Sequence, residues 1–284
     1  MGKVAIISDV NAGLDYIGRD PGIPVLRSII NFGDEHLVDG IDITADVFYK
    51  RISEENIIPS TSAPTVGEAM DLLDKLIVQG YTDVIMYSIS YELSSIGQMV
   101  ETLKDEYEGK INIHVVNTKT ATYMQGYLAV VAKEMADQGK SVEEIINRSQ
   151  FLIDHSHAYF VVDDLKYLMK NGRLSGAAAY VGTILRIKPI LEITKDGRIV
   201  SFEKVKTHRR AVERMIDLVY SEIEKAKKVQ LFIIHSGREE DAKKLAEYFI
   251  FDNIVSTEIH MITPAVGAHI GNGVIGIGYY LLEI

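Results

Sequence analysis

The chain has 284 residues, of which 47% are hydrophobic and 25% are charged, an ordinary composition for a folded globular protein. The formal net charge of −10 argues against general binding to nucleic acid. There is no cysteine, which excludes disulfides, thiolate nucleophiles, iron–sulfur clusters and the usual zinc sites.

The apolar stretches are too short for membrane insertion or secretion. The longest nearly apolar runs, such as 273–282, reach about half the length of roughly twenty residues that a membrane-spanning helix needs. The N-terminal apolar run ends at Asp9 and is too short for a secretory signal peptide. We therefore expect a cytoplasmic protein without stable membrane insertion.

The first half of the chain alternates strand-like and helix-like patterns. Strands are predicted at 4–7, 83–88 and 111–116, and helices at 65–80, 95–107, 122–138 and 141–154. Three of these helices open with capping-box spacing, at Thr65, Ser95 and Ser141. This order predicts a parallel sheet flanked by helices, in an N-terminal α/β domain covering 1–157.

The second half mixes a hairpin with α/β units. We predict strands at 159–162, 189–194, 199–205, 229–235, 254–262 and 274–281, a short helix ending near 171–172, and helices at 208–225 and 239–249. Asp196-Gly197 stands between two of the strands and is a strong hairpin signal. A mixed α/β domain covering 158–284 is therefore expected.

Two hydroxyl-rich segments are candidates for an anion site. Ser94 and Ser95 follow a predicted strand at a helix N-terminus, where free N–H groups bind anions. Thr61 and Ser62 lie between two prolines, just before another helix. In both segments the alternative is structural, because serine and threonine also cap helices without binding anything.

A histidine and an arginine add two further candidates. His269 falls in a segment that we predict to be a glycine-rich loop between two apolar strands, where an imidazole can donate to a carboxylate. Arg173 follows Gly172 at a predicted helix end and is suited to recognising a carboxylate or phosphate. Either side chain could instead be purely structural or solvated.

The charge distribution is uneven. The segment 166–214 has 12 Lys and Arg against 4 Asp and Glu, a local charge of +8, while the remainder carries −18. This contrast indicates a local anionic partner, or alternatively a solvated surface. The chain lacks a Walker P-loop, a dinucleotide-binding glycine motif and a nucleophile elbow, and His155 and His157 have no supporting ligands, so no metal is expected.

Taken together and in order, these segments resemble the DegV family of bacterial fatty-acid-binding proteins. The resemblance covers nearly the whole chain. Its motifs are Asp9, Thr61-Ser62-Ala63-Pro64, Ile89-Ser90 with Leu93-Ser94, Asn171-Gly172-Arg173, Ile187 to Leu191, Lys204 to Thr207, and His269 to Gly273. Departures from the family pattern include Asn11, Asn272 and Glu92, the last of which places a negative charge near the expected ligand.

The resemblance implies a two-domain DegV-like fold with a ligand tunnel between the domains. It implies a carrier and not an enzyme, holding a long-chain fatty acid such as palmitate, stearate or oleate and needing no cofactor. By motif match, Thr61, Ser94 and His269 would bind the carboxylate, and the adjacent Ser62 would share this role. Tunnel-lining candidates are 176–179, Ile184 and Ile190.

A partner is implied as well. Some family members present the acyl carboxyl group to a separate fatty acid kinase, which makes acyl-phosphate for phospholipid synthesis. Arg173 and Gly172 would then face the kinase, near the tunnel opening. The alternative is a small-molecule hydrolase or phosphotransferase with Ser94 as nucleophile and His269 as base, although no sequence signature supplies the third group such a pair needs. The acyl chain length and the oligomeric state stay open.

Overall fold

The computed structural model describes residues 2–176 and 188–284, which form three β-sheets with helices packed around them. The strands are β1 Val4–Asp9, β2 Val25–Leu26, β3 Ile29–Phe32, β4 Glu35–Val38, β5 Ser60–Ser62, β6 Asp83–Ser88, β7 Asn112–Asn117, β8 Ser156–Val161, β9 Ile190–Ile193, β10 Ile199–Glu203, β11 Lys228–His235, β12 Ile254–Met261 and β13 Ile275–Glu283. The helices are α1 Ala45–Glu55, α2 Val66–Val78, α3 Ile96–Glu101, α4 Thr122–Asp137, α5 Val142–Asp154, α6 Lys166–Lys170, α7 His208–Ile223, α8 Glu239–Ala246 and α9 Pro264–Ile270.

The N-terminal half contains the parallel sheet that the sequence predicts. Its strand order is β2-β1-β6-β7, and every pairing is parallel. Strands β1 and β6 are buried along nearly their whole length, as expected for a sheet covered by helices on both faces. The capping boxes at Thr65 and Ser141 form as predicted, whereas Ser95 precedes α3 without a side-chain cap.

The C-terminal half contains the predicted mixed sheet, in the order β10-β9-β8-β13-β11-β12. Only β11 and β12 pair in parallel among these neighbours. Strands β9 and β10 form the predicted hairpin, closed by a turn in which Gly197 N–H donates to Thr194 O. The predicted fold class is therefore confirmed.

Residues 10–64 contain elements that our sequence patterns missed. Strands β4, β3 and β5 form a small antiparallel sheet, and α1 precedes β5. Two signals were available. Gly33-Asp34 joins β3 to β4 as a two-residue hairpin turn, and Phe48, Tyr49 and Ile52 have the spacing of one buried helix face.

The segment around His269 is a helix, so the predicted glycine-rich loop at 265–273 is wrong over most of its length. Thr263 caps α9 by accepting from the Val266 N–H, and Pro264 occupies the first turn. Both are standard helix-start signals. Gly267 lets α9 approach α1, because a Cβ at this position would lie 2.5 Å from the Tyr49 hydroxyl oxygen.

One apolar core runs through both halves of the chain. Helix α4 packs against β1 and β6 on one side and against β11 on the other, and the same cluster includes Ile6, Tyr87, Phe232 and Tyr280. The predicted domain boundary at 157/158 falls within β8. The division into 1–157 and 158–284 remains a prediction.

A close backbone approach fixes α4 against the turn that follows β1. A Cβ added to Gly126 would lie 2.3 Å from the carbonyl oxygen of Ala12. Gly67 in α2 is a matched helical glycine, since its added Cβ would have its nearest neighbour at 3.9 Å. Substitutions at the two glycines therefore separate the effect of close packing on stability from the effect of helix propensity.

We expect Gly126→Ala to lower the free energy of unfolding by about 1–3 kcal/mol, because overpacking outweighs the gain in helix propensity. Gly67→Ala should leave stability unchanged or raise it by up to about 1 kcal/mol. Urea unfolding of both variants measures the difference. Equal effects of the two substitutions would contradict the close packing of α4.

The carboxyl group of Asp39 anchors the N-terminus of α9. Asp39 is fully buried, and its Oδ2 accepts from the Ala265 N–H at 2.7 Å. Its Oδ1 has no hydrogen-bond partner among the described residues. Burial, reinforced by the negative charge of Asp15, raises the pKa of Asp39 to about 7, while the Ala265 N–H and Arg27 oppose the rise.

This raised pKa makes stability depend on pH. The folded chain holds the Asp39 proton more tightly than the unfolded chain, so the stabilising contribution is complete below about pH 4 and is lost as the pH rises towards 7. We expect Asp39→Asn to remove this loss, so that its unfolding free energy exceeds that of the parent by about 2–4 kcal/mol at pH 8 and by about 0 at pH 4. Urea titrations at both pH values test it; a constant difference would contradict it.

Candidate functional site

A cavity of about 280 Å³ lies where the carboxyl ends of the parallel sheet face the six-stranded sheet and α9. A cavity needs only about 10–15 Å³ to hold one water molecule, so this one has room for a ligand. Ligands of open parallel sheets bind beyond the carboxyl ends of the strands, which is where this cavity opens.

One part of the cavity lining is polar. Thr61 on β5, Ser94 before α3, Arg173 after α6 and His269 on α9 all contribute to it. Thr61 Oγ1 and His269 Nε2 are hydrogen-bonded, 2.8 Å apart. The structure thus brings together three side chains that the sequence assigns to the ligand carboxylate, from segments more than thirty residues apart.

Ser62 lies elsewhere. Successive side chains of a strand point to opposite faces, so Thr61 faces the cavity and Ser62 faces outward. Ser62 is exposed, and its Oγ accepts from Asn31 Nδ2 at 3.0 Å. Its predicted share in the carboxylate site is therefore not supported by its position. Glu92 is also exposed and pairs with Arg198 at 2.9 Å, away from the lining.

His269 is held in its neutral form. Desolvation by burial is the main cause, and the positive charge of Arg173 adds to it, so that the pKa of His269 falls to about 4. Its Nδ1 is buried and has no hydrogen-bond partner among the described residues. A neutral imidazole can be buried at much lower cost than an imidazolium, and it offers one N–H to a ligand.

Arg173 connects two of the segments that form the polar end. Its Nε donates to Leu93 O at 2.8 Å, next to Ser94, and its Nη1 donates to Asn171 O at 2.7 Å. The guanidinium therefore lies in the cavity wall as well as near the surface turn. Gly172 is exposed in that turn, with φ +67° and open space around its Cα.

The rest of the lining is mainly apolar, and glycines of β13 form its floor. The residues of β13 that face this core are Gly276 and Gly278, followed by the fully buried Tyr280. The sequence pattern of 274–281 predicts only an apolar strand. Two glycines at alternate positions were the available signal, because such glycines often mark a close approach of a ligand or a side chain.

The structure does not confirm the predicted tunnel-lining residues. Ile190 packs in the separate core on the opposite face of the six-stranded sheet, so its assignment to the cavity is wrong. Ile193 and Ile199 line the cavity instead. Ile184 and residues 177–179 lie outside the described residues, as does Ile187 of the family motif.

The geometry differs from that of a catalytic triad. His269 Nε2 is engaged by Thr61, and no carboxylate among residues 2–176 and 188–284 is hydrogen-bonded to His269. With a pKa of about 4, His269 is a weak general base near neutral pH. The arrangement is better suited to accepting a charged ligand end than to activating a nucleophile.

The described part of the chain offers neither a metal site nor a membrane-spanning helix. No group of three or more His, Asp or Glu side chains there could hold a metal ion. No helix in these residues is long and apolar enough to cross a membrane.

The chain that forms this cavity is similar to known proteins along nearly its whole length. The DegV family profile, described as an uncharacterised protein family, matches residues 3–282. A DegV domain-containing protein of Staphylococcus aureus (strain COL) is 32% identical, over 98% of this chain and 97% of its own. A fatty acid binding DegV family protein from Streptococcus agalactiae superposes with TM-score 0.88 at 29% identity, covering 99% of both chains. DegV, a fatty acid binding protein from Bacillus subtilis, gives TM-score 0.89 at 28% identity, over 99% of this chain and 100% of its own. Since the profile spans nearly all of its residues, this chain belongs to the DegV family.

Proposed function

We propose that this protein binds one long-chain fatty acid in the cavity, with the carboxylate at Thr61, Ser94 and His269. The observation that carries the proposal is a mainly apolar cavity with a polar cluster in its wall, in which the imidazole is neutral and buried. The fatty-acid-binding relatives from Streptococcus agalactiae and Bacillus subtilis support the same ligand class.

The polar cluster matches what a buried carboxylate requires. A carboxylate that leaves water without hydrogen-bond donors carries a large desolvation penalty. The Thr61–His269 pair keeps one proton in its own hydrogen bond and has one left for the ligand, and the hydroxyl group of Ser94 is a further donor. The positive charge of Arg173 stands in the same wall and favours the anionic form of the ligand.

The apolar lining supplies the driving force for binding. Burial of an acyl chain of about sixteen carbons, at about 0.8 kcal/mol per methylene, gives roughly 10 kcal/mol before the costs of association are subtracted. Most of the affinity is thus expected from the chain, and the polar end fixes the orientation. Such a site retains its ligand and has no need to transform it, so we propose a carrier and not an enzyme.

Neighbouring residues of β5 offer a direct test. Thr61→Val keeps the shape of the side chain but removes its hydroxyl, which leaves the carboxylate one donor short. We expect fatty acid affinity to fall about 10–100-fold, the cost of losing a hydrogen bond to a charged group. Native mass spectrometry of the purified protein and titration with a fluorescent fatty acid measure this.

Ser62→Ala is the matched control, because Ser62 is exposed on the opposite face of the same strand. Its affinity should stay within about twofold of the parent. Equal weakening by both substitutions would show that the strand's integrity, and not the Thr61 hydroxyl, is being measured. A parent that takes up no fatty acid would refute the proposed function.

We further propose that the bound acid is presented to a separate fatty acid kinase, which phosphorylates its carboxyl group. The exposed Gly172 turn supports this, because Arg173 links that surface directly to the polar end of the cavity. The local charge of +8 over 166–214 suits an acidic partner surface.

A charge placed on this turn tests the docking without touching the cavity. We expect Gly172→Asp to slow ATP-dependent acyl-phosphate formation by about tenfold at low salt, because the new carboxylate opposes an acidic partner. Gly172→Asn is the neutral control of similar shape, and both residues tolerate a positive φ. Fatty acid content should remain unchanged in both variants. Equal phosphorylation of the Asp and Asn variants would contradict docking at this turn.

A further inference from the structure

One flexible side chain, that of Met124, lines the end of the cavity that lies away from Arg173. Leu174, next to Arg173, pairs with Ile199 of β10, and the register continues from there through Ile193 and Ala158 to Gly278 of β13. Four strand spacings separate Leu174 from Gly278, about 19 Å across the sheet. Opposite Gly278, strand β8 presents the small Ala158 and strand β11 presents Phe232, so the floor is low on the β8 side. The next inward residue of β13 is Tyr280, which is fully buried in the core.

Met124, in the first turn of α4, lies directly on this low floor. A Cβ at position 278 would lie only 2.2 Å from Met124 Sδ, so the methionine occupies the space that the glycine leaves free. Met124 is 3% exposed, and its sulfur lies 3.9 Å from Thr120 Oγ1. The thioether therefore forms part of the end wall of the cavity.

A second, smaller cavity of about 20 Å³ lies beyond this wall. Both cavities are lined by the same four residues, Thr120, Met124, Ala158 and Ile193. Its other lining residues are mostly polar and include Thr118, Ser156 and Lys195. About 10–15 Å³ is enough for one water-sized group, so the small cavity has room for about one methylene.

We propose that Met124 determines the length of acyl chain that this protein prefers, an inference that rests on the proposed function. The terminal methyl group of the fatty acid abuts the Met124 thioether, and rotation of that side chain makes room for excess length. Methionine is unbranched and has three rotatable bonds, so it limits chain length without an absolute block.

The test removes this wall. Met124→Ala deletes about three heavy atoms of the side chain and joins the two cavities. Each additional buried methylene strengthens binding about fourfold, so a chain two carbons longer gains about fifteenfold over the parent's preferred acid. The protein is offered an equimolar mixture of straight-chain saturated acids from myristate to arachidate, and the bound acids are identified by mass spectrometry after denaturation.

Met135→Ala is the matched control, since Met135 is also on α4 and partly buried but does not line either cavity. Its bound acids should match those of the parent. Met124→Val removes less volume and should shift the preference in the same direction by a smaller factor, which guards against poor folding of the alanine variant.

The outcomes separate the two proposals. A shift to longer acids in both Met124 variants, absent in Met135→Ala, supports Met124 as the length determinant. Folded Met124 variants that bind the same acids as the parent overturn it while leaving fatty acid binding intact. A parent that retains no acid from the mixture overturns the proposed function and this inference together.

Discussion

The attachment of α9 to the N-terminal half of the chain is the contact on which the site depends. Asp39 accepts from the Ala265 N–H at the start of the helix, and the Tyr49 hydroxyl donates to Ile262 O just before it. Both partners in the N-terminal half are buried. These two hydrogen bonds, together with the close packing of Gly267 on Tyr49, orient α9 and so place His269 beside Thr61.

The polar end of the cavity, as the described residues form it, contains no buried charge that lacks a hydrogen-bond partner. His269 is neutral because burial and Arg173 both oppose its protonation, and Arg173 itself donates to two backbone carbonyl oxygens. The carboxylate of the proposed ligand would then meet dipoles and one cation that are already in place. Preorganised groups of this kind reduce the ordering cost of binding.

Sequence patterns predicted most of the fold because periodicity reports burial directly. Strands β1, β6 and β11 are continuous apolar runs, and Asp196-Gly197 identifies the β9–β10 hairpin. The same patterns missed β5, because all three of its residues have hydroxyl side chains and none is apolar. They also misjudged α9, because the glycines at 267, 271 and 273 favour a loop, whereas Gly267 lies in a short helix that packs closely against Tyr49.

The site residues were less accessible to sequence reasoning, for a physical reason. Whether Thr61 or Ser62 faces the cavity depends on the phase of one strand, which two adjacent hydroxyl residues do not reveal. Asp39 gains its role only through a partner 226 positions away. In the sequence, Met124 has the pattern of an ordinary core residue. Its special position is apparent only in the structure, where it fills the space left by the absent side chain of Gly278.

The hydrogen bond between Thr61 and His269 joins residues 208 positions apart. On a ribosome, where domains fold from the N-terminal side as the chain emerges, β5 is synthesised long before its partner helix. Until α9 arrives, the apolar face of β3 and α1 that it covers stays open to water. The ligand site is thus among the last parts of the nascent chain to be completed, and a chain that ends before α9 is left with an uncovered, association-prone surface.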